Sequence, residues 1–387
     1  MRNVIIGNGG AALESIVALR SGGYESEIHL YSDSVFPAYN PTLLTYFIAG
    51  KIGLDAVFPY GGEFYKGYGV KLHMGSKVVE LDANNRTIEN DAGIKLDYDS
   101  CIVCTGAYPV VPGLYNDKGV FTIRSVENAI ALKKRIIPGE KALVVGASLI
   151  GVKVVEALVE QGMEVSLTDT QEHVFPLAAH ANCASLIEAK LEEKGVALLL
   201  GSSNVDISVY DLIVVCTGVK PNISFINNAQ VKTEKGILVD AFMRTSADGL
   251  YAAGDCAQMR EGSAMATGLW ASARYMGRIA GYNIAGKKEA CCEVISQNIT
   301  RFLDVDFASI GDIHAGDDVF EMEHDGKYCR VSWENGRIAG INLLNMPEVS
   351  GIMKSQIRKT SEFSSVTMGK VFNRYPAVKE AFLERGA

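Results

Sequence analysis

The sequence lacks the features that mark several function classes. No apolar run approaches the roughly 18 residues needed to span a bilayer. The N-terminus enters a buried-strand pattern within three residues, which leaves no room for a signal peptide, so a cytoplasmic protein is expected. Positive charge is in deficit: 37 Lys and Arg stand against 45 Asp and Glu, a net charge of −8. General nucleic-acid binding wants the opposite balance. The 8 cysteines follow no regular spacing, and a chain of 387 residues needs no disulfide staples, which fits a reducing compartment. There is no C-x-x-C…C-x-x-C or ferredoxin-type cluster, so no iron–sulfur centre or metal site is expected within the chain. Cys101 and Cys104 do match C-x-x-C. They fall in the apolar stretch YDSCIVCTGA, however, where strand alternation points them to opposite faces. The vicinal pair Cys291–Cys292 lies in what reads as a linker.

What is present points to dinucleotides. The length suggests two or three domains, and 48% apolar with 21% charged residues is ordinary for a globular protein. One pattern occurs twice: VIIGNGGAALESIVAL at 4–19 and LVVGASLIGVKVVEAL at 143–158. Each reads as strand, glycine turn and helix. In the first, Gly7 permits the tight turn and Gly9 lets the backbone approach a pyrophosphate. Ala11 opens the helix, and Ala12 is small enough for helix-on-strand packing. The helix N-terminus then offers N–H groups and a positive dipole end to phosphates. The strand that follows, EIHLYSDS, ends at Ser32 rather than an acid, which weakens the case for a nicotinamide nucleotide and leaves FAD open. The second copy is Gly146-x-Ser148-x-x-Gly151, with Ile150 inside the turn, and its next strand ends in Asp169. A carboxylate accepts from ribose hydroxyls and repels a 2′-phosphate. The following TQEHV holds no arginine, so NADH is expected in preference to NADPH. Asp169 could also be a plain strand-end turn residue.

Two further segments complete a family pattern. RTSADGLYAAGDCAQ carries T-x-x-x-x-h-Y-A-x-G-D, ending in Gly254 and Asp255, and CTGAYP (104–109) and CTGVKPN (216–222) match A-T-G-x-x-P with Cys for Ala. Together with the two glycine turns, these resemble the pyridine nucleotide-disulfide oxidoreductase superfamily of FAD- and NAD-dependent reductases, over nearly the whole chain. The resemblance implies an α/β fold: two Rossmann-like dinucleotide-binding domains and a C-terminal α+β domain. It implies a discontinuous FAD domain (1–113 and 233–288), an NAD domain (114–232) and a dimerisation or partner-interface domain (289–387). It also implies FAD near Gly7, Gly9, Ala11, Ala12, Ser32, Asn40, Pro41, Val78, Thr105, Gly106, Arg124, Gly254, Asp255 and Trp270. NADH is implied near Gly146, Ser148, Ile150, Gly151, Asp169 and Gly218. Asp255 would accept from the ribityl hydroxyls or face the pyrophosphate region, and Arg124 would pair with phosphate. Trp270 would begin a helix facing the flavin, either stacking near the ring or packing in the core. SWENGRIAGINLL reads as a hairpin turning at Asn-Gly.

Relatives with thiol chemistry carry a cysteine pair on the first helix or one cysteine in the segment matching PAYNPTLLTYFIAGK (37–51). Neither is present here. The segment instead resembles NADH:rubredoxin and ferredoxin reductases and the FAD subunits of anaerobic 2-oxoacid and aldehyde oxidoreductase complexes. The expected activity is therefore an FAD-dependent NADH oxidoreductase exchanging electrons with an iron–sulfur or rubredoxin-like protein, as a homo-oligomer or within a multi-subunit complex. Two alternatives stay open: a stand-alone NADH oxidase reducing oxygen, and a non-catalytic FAD-binding scaffold. Lys153 departs from the pattern, because many relatives have Glu there, paired with a Lys where this chain has Tyr46. Both partners of that pair are expected to be lost. Lys153 then either sits at the flavin–nicotinamide junction or packs its stem while the ammonium reaches solvent. The acidic run Asp304–Asp325 and the basic tail Lys354–Lys379 fit either a solvated face or a surface that steers an acidic partner.

Overall fold

A computed structural model describes residues 1–115, 119–227, 229–260, 268–292, 295–316 and 318–357, together with Pro376. The chain forms two compact units. The first gathers Met1–Val110, Thr122–Lys134 and Gly218–Val294, and the second Val111–Phe121, Arg135–Thr217 and the chain from Ile295 onwards.

The first unit is built on a five-stranded parallel sheet ordered Leu250–Ala252, Ser100–Val103, Arg2–Ile6, Glu27–Tyr31 and Val70–His73. Its central strand reads Val4-Ile5-Ile6, all buried, as expected of a parallel strand covered on both faces. The helix Gly10–Ser21 follows the first glycine turn and crosses the helix Trp270–Ile284. Small residues allow that crossing. A Cβ at Gly277 would strike the Ala11 carbonyl, and one at Gly281 would strike Ser15. The three-stranded antiparallel sheet Val78–Asp82, Thr87–Asn90 and Lys95–Asp97 completes the unit. Cys101 and Cys104 are both buried and free.

The second unit repeats the theme. Ala197–Leu200, Glu164–Asp169, Lys141–Val145 and Leu212–Val215 pair in parallel in that order, and the helix Leu149–Glu160 follows the second glycine turn. Beyond it lies an antiparallel sheet ordered Gln297–Phe302, Val305–Gly311, Arg337–Leu344, Lys327–Glu334 and Asp318–His324, with the helix Pro347–Ile357 after it. The expected hairpin turns at Asn335 (φ 51) and Gly336 (φ 73), the left-handed pair that a type I′ turn requires.

The two units depart from the expected three-domain bounds at three places, and at one of them Thr122–Lys134, expected in the NAD domain, falls in the first unit. Residues 218–232 belong to the first unit because Val219–Pro221 pairs antiparallel with Ala107–Pro109. The C-terminal sheet belongs with the second dinucleotide fold. There the buried Asn342 accepts from the His180 N–H and donates to the Ala178 carbonyl, both at 2.8 Å. Part of the acidic run is also occupied internally. Glu321 accepts from Asn182 and from the Tyr328 hydroxyl, and Asp304 faces Lys194 and Arg301. Asp317 and the basic residues of the tail after Lys354 lie outside the described residues. Among the described residues no helix is long and apolar enough to cross a membrane.

Candidate functional site

In the first unit the parallel strands end around a cavity of about 510 Å³. Ligands of open α/β sheets bind at the carboxyl ends of the strands, and that is where this cavity opens. Gly7 has φ +102, and a Cβ there would drive into the Cys104 carbonyl, so the turn admits only glycine. Gly9 faces open space and forms the N-cap of the Gly10–Ser21 helix without a side-chain hydrogen bond. The dipole end of that helix therefore faces the cavity, and among the described residues no side chain caps it. This anion cradle fits a dinucleotide pyrophosphate.

The candidate residues sort clearly around this cradle. Gly7, Gly9, Ala11, Ser32, Pro41, Val78, Thr105, Gly106, Arg124, Gly254, Asp255 and Trp270 all line the cavity. Ala12 does not; it is fully buried behind the turn, in the helix-packing role its size suggests. Asn40 is also set back and caps the next turn, its Oδ1 accepting from the Thr42 N–H at 3.0 Å. Ser32 is buried, and its Oγ accepts from the Ser34 N–H at 3.2 Å. Asp255 and Arg124 are brought together: Nη2 of Arg124 donates to Oδ2 of Asp255 at 2.6 Å, and Nε to the Ala107 carbonyl at 3.0 Å. Each group braces the other while it lines the cavity. Trp270 starts its helix as expected and lies against Gly10, where any Cβ would meet its ring. It therefore packs over the first turn of the Gly10–Ser21 helix.

Some lining residues carried no sequence signal of their own. Tyr39 donates to the Arg124 carbonyl at 3.4 Å, and burial pushes its phenol up to about 12. Asn222 accepts from Thr105 Oγ1 at 2.6 Å through its carbonyl. The two C-T-G-x-x-P motifs could have indicated Asn222, since their ends form the ribbon Ala107–Pro109 with Val219–Pro221. Cys104 is the one cysteine among the described lining residues, and burial holds its thiol well above the ordinary range. A thiol in that state is not a thiolate nucleophile.

The second glycine turn has the same geometry with different closure. Gly146 has φ +110, and its Cβ would meet the Cys216 carbonyl; a Cβ at Gly151 would meet the Gly146 carbonyl. Ser148 caps the helix, accepting from the Gly151 N–H at 3.3 Å and donating to the Cys216 carbonyl at 3.2 Å. Ile150 is 46% exposed at the turn. Asp169 reaches back to the turn, its Oδ2 accepting from the Ala147 N–H at 2.7 Å and its Oδ1 from the Gln171 N–H at 2.9 Å. Gly218 is placed apart from this group in the chain's division. It opens the first unit's last segment, with φ +114, and accepts from the Val110 N–H at 3.0 Å.

Lys153 corrects one expectation. Its side chain is buried and does not reach solvent: the ammonium is ion-paired with Glu156 and donates to the Arg301 carbonyl at 2.9 Å. Glu156 accepts in turn from the Leu303 N–H at 3.1 Å. The charge has found a partner one helical turn away, because an unpaired buried ammonium would be costly. The pair joins the helix of the second glycine turn to the C-terminal sheet.

The family model for pyridine nucleotide-disulphide oxidoreductase matches residues 1–277. The chain belongs to this family. Its oxidoreductases use FAD and a pyridine nucleotide, and this chain is such an enzyme. It is 32% identical over 277 residues to the assimilatory nitrate reductase electron transfer subunit of Bacillus subtilis (strain 168), covering 66% of this chain and 36% of that protein. The chain thus spans about a third of that relative's length. It is 26% identical over 398 residues to the NADH-dependent phenylglyoxylate dehydrogenase subunit epsilon of Aromatoleum evansii, covering 96% of this chain and 94% of the relative. NADH:rubredoxin oxidoreductase from Clostridium acetobutylicum superposes with a TM-score of 0.84 at 22% identity, covering 96% of this chain and 99% of that one. At that identity the likeness shows the fold alone.

Proposed function

We propose that this oxidoreductase exchanges electrons between NADH and a separate iron–sulfur or rubredoxin-type protein, with FAD held in the first unit and NADH at the second glycine turn. FAD, when bound, supplies the chemistry: it accepts a hydride and can release the two electrons singly. The chain's own residues hold and orient. The open N-terminus of Gly10–Ser21 takes the pyrophosphate, Asp255 accepts from sugar hydroxyls, and Arg124 fixes Asp255 while offering its remaining N–H groups. Asp169 accepts from the nicotinamide nucleotide's ribose, and the absence of Arg or Lys from 170–173 supports NADH over NADPH.

The observation that carries this reading is the cavity's lack of a usable thiol. Cys104, the one cysteine among the described lining residues, is held protonated by burial. Disulfide and persulfide chemistry at this cavity is therefore disfavoured, and a separate redox protein is the natural exchange partner. Two relatives whose names describe an electron transfer subunit and a dehydrogenase subunit support a role inside a larger system. The test is anaerobic NADH oxidation with rubredoxin, ferredoxin or viologen as acceptor, set against oxidation in air without one. Acceptor-dependent turnover well above the oxygen rate is expected. Fast oxygen turnover with no acceptor preference would assign a stand-alone oxidase instead, and a flavin that NADH leaves unbleached would assign a scaffold.

A further inference from the structure

Cys291–Cys292 is the one adjacent pair of cysteines in the sequence, and Cys292 is the one exposed cysteine among the described residues. Cys292 is exposed and Cys291 half-buried, and neither is in a disulfide. Cys101, Cys104, Cys183, Cys256 and Cys329 are buried; Cys216 is half-buried like Cys291, and burial raises both of those thiols. Neither member of the pair lines the dinucleotide cavity.

The backbone of the pair is held at both residues. The Cys291 N–H donates to the Ala241 carbonyl at 2.7 Å, and the Cys292 N–H to the Tyr275 hydroxyl at 3.1 Å. Asn283 clasps the approach, donating to the Glu289 carbonyl at 2.7 Å and accepting from its N–H at 3.2 Å. The Cys291 thiol donates weakly to the Cys292 carbonyl at 3.3 Å. Two adjacent thiols on an anchored, accessible backbone form a ready chelate, since the first sulfur to bind holds the second at high effective concentration.

We propose that Cys291–Cys292 is a chelating dithiol site for a trivalent thiophile of the organoarsenous class. An R–As(OH)2 centre would form two As–S bonds and break two As–O bonds. The two thiol protons leave with the two hydroxyls as water, and no oxidation state changes, so no separate oxidant is required.

The test treats the full-length FAD-loaded protein with phenylarsine oxide. One arsenic per chain is expected, with two free thiols lost. The arsenic should map to the peptide carrying residues 291 and 292, resist excess monothiol and leave with a 1,2-dithiol. Cys292→Ser and Cys291→Ser should each bind about 100-fold more weakly or worse. If Cys291→Ser fails to fold, Cys292→Ser, whose side chain is exposed, decides the matter. Wild-type affinity in Cys292→Ser, release by monothiol alone, or arsenic mapped to another cysteine would overturn the proposal.

Discussion

The two glycine turns begin alike and close differently. Gly7 and Gly146 share the same left-handed φ, and each is pressed against the carbonyl of the cysteine in a C-T-G motif, Cys104 or Cys216. Then Gly9 leaves the first helix without a side-chain cap, whereas Ser148 caps the second with its own hydroxyl. The strand-end residue diverges too. Ser32 turns its oxygen to Ser34 beyond the strand, while Asp169 reaches back and ties the turn at Ala147. On the proposed assignment the turn without a side-chain cap takes FAD, and the turn capped by Ser148 takes NADH. The following helices differ as well: the first crosses its neighbour on a seam of small residues, and the second carries the buried Lys153–Glu156 pair.

The largest effect is expected from breaking that pair. Lys153→Met removes the cation paired with the buried Glu156 carboxylate and should cost about 3–5 kcal/mol, read as a lower denaturation midpoint. Lys153→Met with Glu156→Leu should recover most of it. An unchanged midpoint in the single variant would mean that the pair contributes nothing to holding the second unit together. Next comes Gly7→Ala, where strain of about 1–3 kcal/mol adds to a clash with the Cys104 carbonyl. Flavin retained through gel filtration should fall about tenfold or more, while Gly146→Ala keeps its flavin and loses bleaching by NADH. Equal flavin loss in both variants would erase the distinction between the turns.

Asp169→Asn should be milder. Losing a charged acceptor costs about 1.5–3 kcal/mol, so the NADH KM rises roughly tenfold or more with flavin content unchanged, and discrimination against NADPH narrows. An unchanged KM would reduce Asp169 to a turn residue. The smallest effect is expected from Ser148→Gly, which makes the second turn resemble the first. Replacing a Ser cap by Gly costs only a few tenths of a kcal/mol, and a slightly lower NADH dissociation constant in equilibrium titration is expected. A weaker-binding variant would show that the hydroxyl helps to hold the nucleotide.

Much of this was legible in the sequence, because close packing of backbone on backbone demands glycine at fixed spacing. That rule located Gly7, Gly146 and Gly151, and strand register located Ser32 and Asp169. Contacts between distant segments were not legible. Nothing in the spacing of Arg124 and Asp255, 131 residues apart, says that they bond to each other. The family pattern sets position 153 against position 46, whereas the partners of Lys153 are Glu156, three residues ahead, and the Arg301 carbonyl, 148 residues away. Asn40 and Ala12 carried the right motif but face caps and packing instead of the cavity. Tyr39 lines the cavity through folding that brings loops together, which no local pattern encodes, whereas Asn222 ends the second C-T-G-x-x-P motif and was legible there.

The most direct test of the electron-transfer account is anaerobic stopped-flow on protein alkylated with iodoacetamide. NADH should bleach the flavin as fast as in untreated protein, and added rubredoxin or ferredoxin should restore its absorbance. A flavin that no longer bleaches after alkylation, or that neither acceptor reoxidises, would contradict it.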